Sequence, residues 1–306
     1  TLTMKTKKFL PQKEGVVKIY SCVVIPYYEI HLDHARQAVV FDVLRNYLTY
    51  IGNKVEYVRN FTDVDDKIIK RSAERGITSL ELSEHFISES KKDLEKLKVS
   101  PATYEPKVTD HIQEIIDFIQ ELIDKGYAYE KNGEVLFSVK KFNKYGRLSN
   151  QKIDELVSFE ELSNKIDPHD FALWKPQKEG EPAWNSQWGL GRPGWHIECS
   201  VLLKKYLGDT VDIHGGGLDL IFPHHENEIA QSEACSGHPL ANYWVHNGLV
   251  MVNGEKMSKS LGNFYTIKDL LAKYTPEEIR FFILASKYSS KVDFSYESLL
   301  AIRKRV

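Results

Sequence analysis

The sequence predicts an α/β fold on a parallel sheet interrupted by an inserted block, and three observations carry that expectation. A short β-branched run, a helix-period stretch and a second short strand follow one another directly near the start. Strand and helix alternation resumes around Glu198, and the block between is helical at first and then dense in Trp, Pro and Gly. A strand, helix, strand unit obeys the right-handed crossover rule and so belongs to a parallel sheet, half of a doubly wound fold.

The first strand is Val16 to Val24 (VVKIYSCVV), too short for a helix and too β-branched for a loop. His31 to Tyr50 then places Ala35, Val39, Val43, Leu44 and Leu48 at helical spacing, with Gly52 as a cap, before a second strand at Lys54 to Val58. From Ser79 to about Lys125 two amphipathic helices are separated by Pro101 and Pro106, and Gly126 closes the second. Glu134 to Val139 reads as a strand, and Pro168 to Pro193 as a long ordered surface excursion. A helix around Glu198 to Tyr206, a strand at Thr210 to His214 with a turn ending at Gly217, and a strand at Asn242 to Val252 restore the alternation. A helical part runs from Ile267 onward and stops inside a charged pattern, AIRKRV, without a stop signal, so it reads as truncated.

The 306 residues, 42% hydrophobic and 27% charged, provide apolar material for one large core or two smaller ones and exclude disorder, collagen and coiled coil. No run approaches the roughly 20 apolar residues that cross a bilayer, and the polar, basic start is no signal peptide, so a cytoplasmic protein is expected. Cysteines 22, 199 and 235 are too few and too scattered for a disulfide framework and point to free thiols in a reducing compartment. A formal charge of -2 neither announces nor excludes a nucleic-acid partner.

Three motifs carry chemistry. His31 and His34 stand at the start of the helix after the first strand, where unpaired backbone N–H groups and the helix dipole favour a phosphate. Such a pair is as often a surface pair or half a metal site. KMSKS, Lys256 to Ser260, sets two lysines and two hydroxyls on a glycine-flanked loop, suited to a polyphosphate whose charge grows in a transition state. A charged loop is ordinarily just solvated, but this string is more specific than a charge run, and its pairing with the histidines points to nucleotide chemistry. Cys22, Cys199, His224 and Glu228 offer two thiolates, an imidazole and a carboxylate, a donor set for tetrahedral zinc; the alternative is a helix-start network beside small core cysteines. Weaker features are His214-Gly-Gly-Gly217, open to close backbone approach to a ligand, and Asp63, Asp65 and Asp66, magnesium ligands or a capped helix start. Trp195 alone reads as core, and Cys235 as a spare thiol.

At these strings the chain resembles the catalytic part of cysteinyl-tRNA synthetases, a class I family, over almost its whole length: YVRNFTDVDDKIIKRS at Tyr57 to Ser72, LWKP at Leu173 to Pro176, GRPGWHIECS at Gly191 to Ser200, DIHGGGLDLIFPHHENEIAQSEA at Asp212 to Ala234, and NGEKMSKSLGNF at Asn253 to Phe264. The resemblance implies a Rossmann-like nucleotide-binding core split by a connecting insertion and followed by a helical stem-contact region: a first half of the core at 1–105, the insertion at 106–193, a second half with the lysine loop at 194–264, and the stem-contact region at 265–306. It implies zinc on Cys22, Cys199, His224 and Glu228, taking the thiolate of the substrate L-cysteine as a further ligand. Thr62 and Trp195 would line the amino-acid pocket. His31, His34, Lys256 and Lys259 would stabilise the ATP phosphates, with Mg2+ accompanying ATP, and Gly215, Gly217, Asp219 and Leu249 would border the adenosine. The implied activity is ATP-dependent cysteine activation and transfer to tRNA(Cys) by a monomer.

Departures gather in one stretch. Where the family reads Cys-Gly-Pro-Thr-Val-Tyr-Asp, this chain has Cys22-Val-Val-Ile-Pro-Tyr-Tyr28, and the glycine of the HIGH signature is Asp33, whose carboxylate is expected to oppose adenine and phosphates. Pro26-Tyr27 and His31 to Ala35 are similar to the ligase joining cysteine to an amino sugar in mycothiol synthesis. A tRNA-independent ligase acting on a small amine and a non-catalytic binding paralogue are therefore the alternatives.

Overall fold

A computed structural model of the chain describes residues 1–3, 7–22, 25–152, 164–257 and 263–303. The first part runs β1 (Val16–Ser21), α1 (Leu32–Tyr50), β2 (Lys54–Arg59), α2 (Asp66–Arg75) and α3 (Ser79–Lys96). A middle part follows with α4 (Ile112–Asp124), β3 (Ala128–Lys131), β4 (Glu134–Phe137), β5 (Phe171–Pro176) and β6 (Gly191–Pro193). Next come α5 (Trp195–Leu207), β7 (Val211–Gly217), α6 (Glu226–Ser236) and β8 (Ala241–Asn247). The last part holds β9 (Val250–Val252), β10 (Glu255–Lys256), α7 (Ile267–Leu271), α8 (Pro276–Leu284), β11 (Val292–Phe294) and α9 (Tyr296–Arg303).

The expected parallel sheet is present, in the order β2-β1-β7-β8 with every neighbouring pair parallel. β1 is flanked by β2, which follows it in the chain, and by β7, which arrives only after the middle part. Strand order therefore reverses at β1, and in such sheets ligands bind in the crevice beyond the strand ends at that point. The middle part carries its own antiparallel sheet, β3-β4-β5-β6, and the last part a small sheet, β10-β9-β11.

α1 is the pivot of the packing. Its Leu32, Ala35 and Val39 side, with Ile30 just before it, joins α7, α8, α9 and β11 in one apolar cluster, while Phe41 and Leu48 join β1 and β2 in another. A helix buried on two sides has no single apolar stripe, which is why its sequence pattern is shallow. Its end is sharp, because Gly52 takes φ of 97°, a left-handed turn that glycine adopts without a Cβ clash.

Three expectations change. The stretch Pro168 to Pro193 is not only a surface excursion: β5 and β6 lie in it, Trp174 is fully buried, and the run FALW is buried on both faces and so shows no alternation. Asn242 to Val252 is two strands, because at Gly248 a Cβ would stand 2.0 Å from the Ser290 carbonyl oxygen where another segment crosses. The turn expected to end at Gly217 is instead strand, with β7 running through all three glycines.

Candidate active site

Cys22 immediately follows β1, its N–H donating to the Gly215 carbonyl at 3.3 Å, so the thiol stands at the carboxyl end of the central strand. Cys199 lies in the second turn of α5, His224 in the turn Ile221–His225, and Glu228 in the first turn of α6. Those elements come from distant parts of the chain, yet the four ligand atoms all lie within 4.8 Å of one another, and all four residues are buried. Cys22 Sγ is 3.0 Å from Glu228 Oε1, His224 Nε2 is 3.0 Å from the same oxygen, and Cys199 Sγ is 3.6 Å from His224 Nε2. Tetrahedral zinc with ordinary bond lengths spaces its ligands by roughly 3.3–3.8 Å, so the donor set fits that ion in type and spacing.

The electrostatics agree. Burial opposes charge on Glu228, yet His214 and His224 hold its carboxyl well below the usual range. Burial also opposes ionisation of Cys199, but the Cys22 hydrogen bond and His224 bring its thiol down to about 6. Burial lowers the basicity of His224, and Glu228 and Cys199 outweigh it, carrying the imidazole up to about 10. A carboxylate and two thiols buried around one imidazole make a setting that a bound cation relieves.

A shell of aromatic and polar groups holds these ligands. His214 Nε2 lies 2.7 Å from Glu228 Oε2, His196 Nδ1 lies 3.0 Å from His224 Nδ1, and Trp195 stacks on His224 at 4.4 Å. Gln231 donates to the His196 carbonyl and to Ser200 Oγ. His214 and His225 form a second candidate group with Cys22 and Glu228, so the two groups share a thiol and a carboxylate. Thr62, fully buried, reaches the cluster through Asn60, whose Nδ2 donates to Thr62 Oγ1 at 3.4 Å and whose Oδ1 accepts from Cys199 Sγ at 3.8 Å. Hydrogen bonds from such neighbours orient ligating imidazoles and carboxylates.

On the other side of β1, His31 is the N-cap of α1. Its Nδ1 accepts from Asp33 N at 3.3 Å, and His34 Nδ1 accepts from His31 N at 3.4 Å, so both imidazoles use Nδ1 for capping, their ring centres 3.8 Å apart and their planes tilted by 33°. One turn on, Gln37 donates to the Cys22 carbonyl, which couples this helix start to the thiol cluster. Lys256, in β10, pairs through its backbone with Met251 of β9, while Lys259, like Val23 and Val24, lies outside the described residues.

At Gly215 a Cβ would be 1.8 Å from the Val245 carbonyl oxygen of β8, so the neighbouring strand leaves room for glycine alone. Asp219 is exposed in the turn Leu218–Leu220, beside Gly217, and Leu249 gives its carbonyl to Val292 N at 3.0 Å. Asp33 is engaged by the fold. Its Oδ1 accepts the Val250 N–H at 2.6 Å, tying α1 to β9. The acidic trio is a helix start: Asp65 caps α2, Asp66 pairs with Arg192, and Asp63 accepts from Thr109. Cys235 is buried beside Lys204, with burial pushing its thiol up to about 11.

His196, His225, His246 and Arg36 were not distinguished by spacing. His225 and His246 meet at 2.8 Å across the α6 start and β8, a contact that only the sheet order creates. The doubled imidazole of FPHH was the one local signal for His225.

A family model described as the class I tRNA synthetase (C) catalytic domain matches residues 8–304. The chain is 55% identical over 307 residues to the cysteine–tRNA ligase of Persephonella marina, covering 99% of this chain and 63% of that protein. It is 57% identical over 302 residues to the cysteine–tRNA ligase of Pyrococcus furiosus, covering 98% and 63%. The chain thus spans 63% of the length of these relatives. In structure it is similar to Mycobacterium tuberculosis methionyl-tRNA synthetase in complex with methionyl-adenylate, with a TM-score of 0.74 over 94% of this chain and 68% of that one at 15% identity. A putative arginyl-tRNA synthetase from Campylobacter jejuni aligns with a TM-score of 0.62 over 93% and 66% at 14% identity. At these identities the likeness concerns the fold, a Rossmann-like catalytic core.

Proposed function

The chain belongs to the class I cysteinyl-tRNA synthetase family, and on that premise we propose that it activates L-cysteine with ATP and passes the cysteinyl group to tRNA(Cys). The carrying observation is the convergence of Cys22, Cys199, His224 and Glu228 at the carboxyl end of β1, one hydrogen bond from the helix that carries His31 and His34. These four residues would hold zinc, which when bound supplies a thiolate-selective site. An apolar pocket cannot separate cysteine from serine steeply, whereas a site that demands a thiolate can. The relatives being cysteine–tRNA ligases, neither alternative acceptor reading gains an observation of its own.

In the proposed reaction the cysteine carboxylate attacks the α-phosphate and pyrophosphate leaves. Thr62 and Trp195 border the amino acid, Trp195 from its stack on His224. His31 and His34, at the amino end of α1, face the growing phosphate charge with the help of the helix dipole, joined by Lys256 and Lys259. Gly215, Gly217, Asp219 and Leu249 border the adenosine in this reading, and Mg2+ enters with the ATP. No protein nucleophile is needed, since position and charge stabilisation supply the rate. The bounds 1–105, 106–193, 194–264 and 265–306 are proposed for the two halves of the core, the insertion and the stem-contact region. No helix among the described residues is long and apolar enough to cross a membrane, and the cytoplasm is the proposed location.

Substitution at the lysines tests the reading. Lys256→Ala and Lys259→Ala are expected to lower cysteine-dependent ATP–pyrophosphate exchange by about a hundredfold or more, with a smaller change in ATP binding. Unchanged exchange in either variant would remove that lysine from the reaction.

A further inference from the structure

Arg36 is completely buried one turn after the histidine pair, and its five hydrogen bonds all go to backbone carbonyls. Nη1 donates to Gly248 at 2.8 Å and Leu249 at 3.0 Å. Nη2 donates to Ser290 at 2.6 Å, Tyr288 at 3.3 Å and Lys287 at 3.4 Å. Two chain segments cross here so closely that Gly248 has no room for a Cβ, and Gly248 N donates to the Tyr288 carbonyl at 2.8 Å. The same helix start anchors the neighbouring backbone: Asp33 accepts from Val250 N, Ile30 accepts from Ile267 N at 2.9 Å, and Leu32 N donates to the Tyr265 carbonyl at 3.3 Å. Both stems of the segment 253–264 are therefore hydrogen-bonded to the first turns of α1.

We propose that Arg36 is a positioning residue, a guanidinium clamp that locks the 248–249 and 287–290 backbones to α1 and so fixes the stem of the lysine loop relative to His31 and His34. The planar fork matters because it reaches carbonyls on two segments at once, which three ammonium donors on a flexible stem do less well. The catalytic part of this inference rests on the function proposed above; the clamp itself does not.

Arg36→Met and Arg36→Lys separate the two. By hydrogen exchange, Arg36→Met is expected to speed amide exchange in 248–252 and 288–292 by tenfold or more while β2 stays unchanged, and unchanged exchange there overturns the clamp. In ATP–pyrophosphate exchange, Arg36→Met is expected to lose about tenfold or more in kcat, as a small misplacement does, with the KM for cysteine within about twofold and the zinc content unchanged. Arg36→Lys is expected to recover part of the loss. Full kcat in folded Arg36→Met, or a loss that tracks zinc content, overturns the positioning role. Should Arg36→Met fail to fold, Arg36→Lys decides, with wild-type amide exchange and wild-type kcat counting against the proposal. A wild-type chain without any exchange activity contradicts the proposed function instead, and the hydrogen-exchange result still judges the clamp.

Discussion

Cys199 and Glu228 would contribute unequally to the proposed zinc site. Cys199 is the thiol brought down to about 6, a ready thiolate, whereas Glu228 is shared between His214 and His224. Purified protein is expected to carry about one zinc per chain, with Cys199→Ser losing more metal affinity than Glu228→Ala. Metal analysis of both variants checks this, and a zinc-free undegraded wild type contradicts the site. Glu228→Ala is nonetheless expected to cost about 3–5 kcal/mol of stability, because it strands buried imidazoles that had a carboxylate partner. Asp33 gives a second prediction. Its bond to the Val250 N–H means that Asp33→Gly leaves a donor in buried Val250 without this acceptor, at about 1–3 kcal/mol, measurable by denaturant unfolding. The same substitution removes a negative charge from the helix start and is expected to tighten ATP binding most at low salt, where repulsion is least screened. Calorimetric titration at two salt concentrations decides, and equal affinities would place the carboxylate away from the nucleotide.

At the scale of elements, β2 is extended by the segment 104–107, and an ion cluster ties the two. Arg59 pairs with Glu105, and Lys91 of α3 reaches the other carboxylate oxygen at 3.1 Å. Burial opposes the Glu105 charge, but Arg59 and Lys91 outweigh it and hold its carboxyl below the usual range. A depressed carboxyl contributes stability that is present above the unfolded value of about 4.3 and is lost as pH falls through the lower folded value. Glu105→Gln is therefore expected to flatten the fall of Tm between about pH 5 and pH 3. A slope equal to wild type would show that the pair contributes nothing. This scale also shows where a sequence is readable. The α1 start, the capped start of α2 and the four metal-type donors were legible because each has a local spacing or residue-type signal. Arg36 and the His225–His246 contact were not, since an arginine inside a helix and a histidine inside a strand look solvated until the crossing of 248 with 290 and the β7–β8 pairing bury them. FALW misled for the opposite reason, as full burial erased its period.

For the whole molecule, the interrupted sheet explains the site. Strand order reverses at β1, so the thiol after β1, the start of α1, and the ends of β7 and β8 meet at one crevice although 206 positions separate Cys22 from Glu228. α5, which follows the middle part, brings Cys199, Trp195 and His196 to the same place. The central claim is that this crevice selects a thiolate and activates the carboxylate attached to it. ATP–pyrophosphate exchange by the zinc-loaded chain, run without tRNA and with cysteine or serine as the amino acid, tests it most directly. The account predicts exchange with cysteine that exceeds exchange with serine by at least about a thousandfold, as expected where a polar partner is required rather than a volume filled. Comparable exchange with both amino acids, or none with cysteine in protein that holds its zinc, would contradict it.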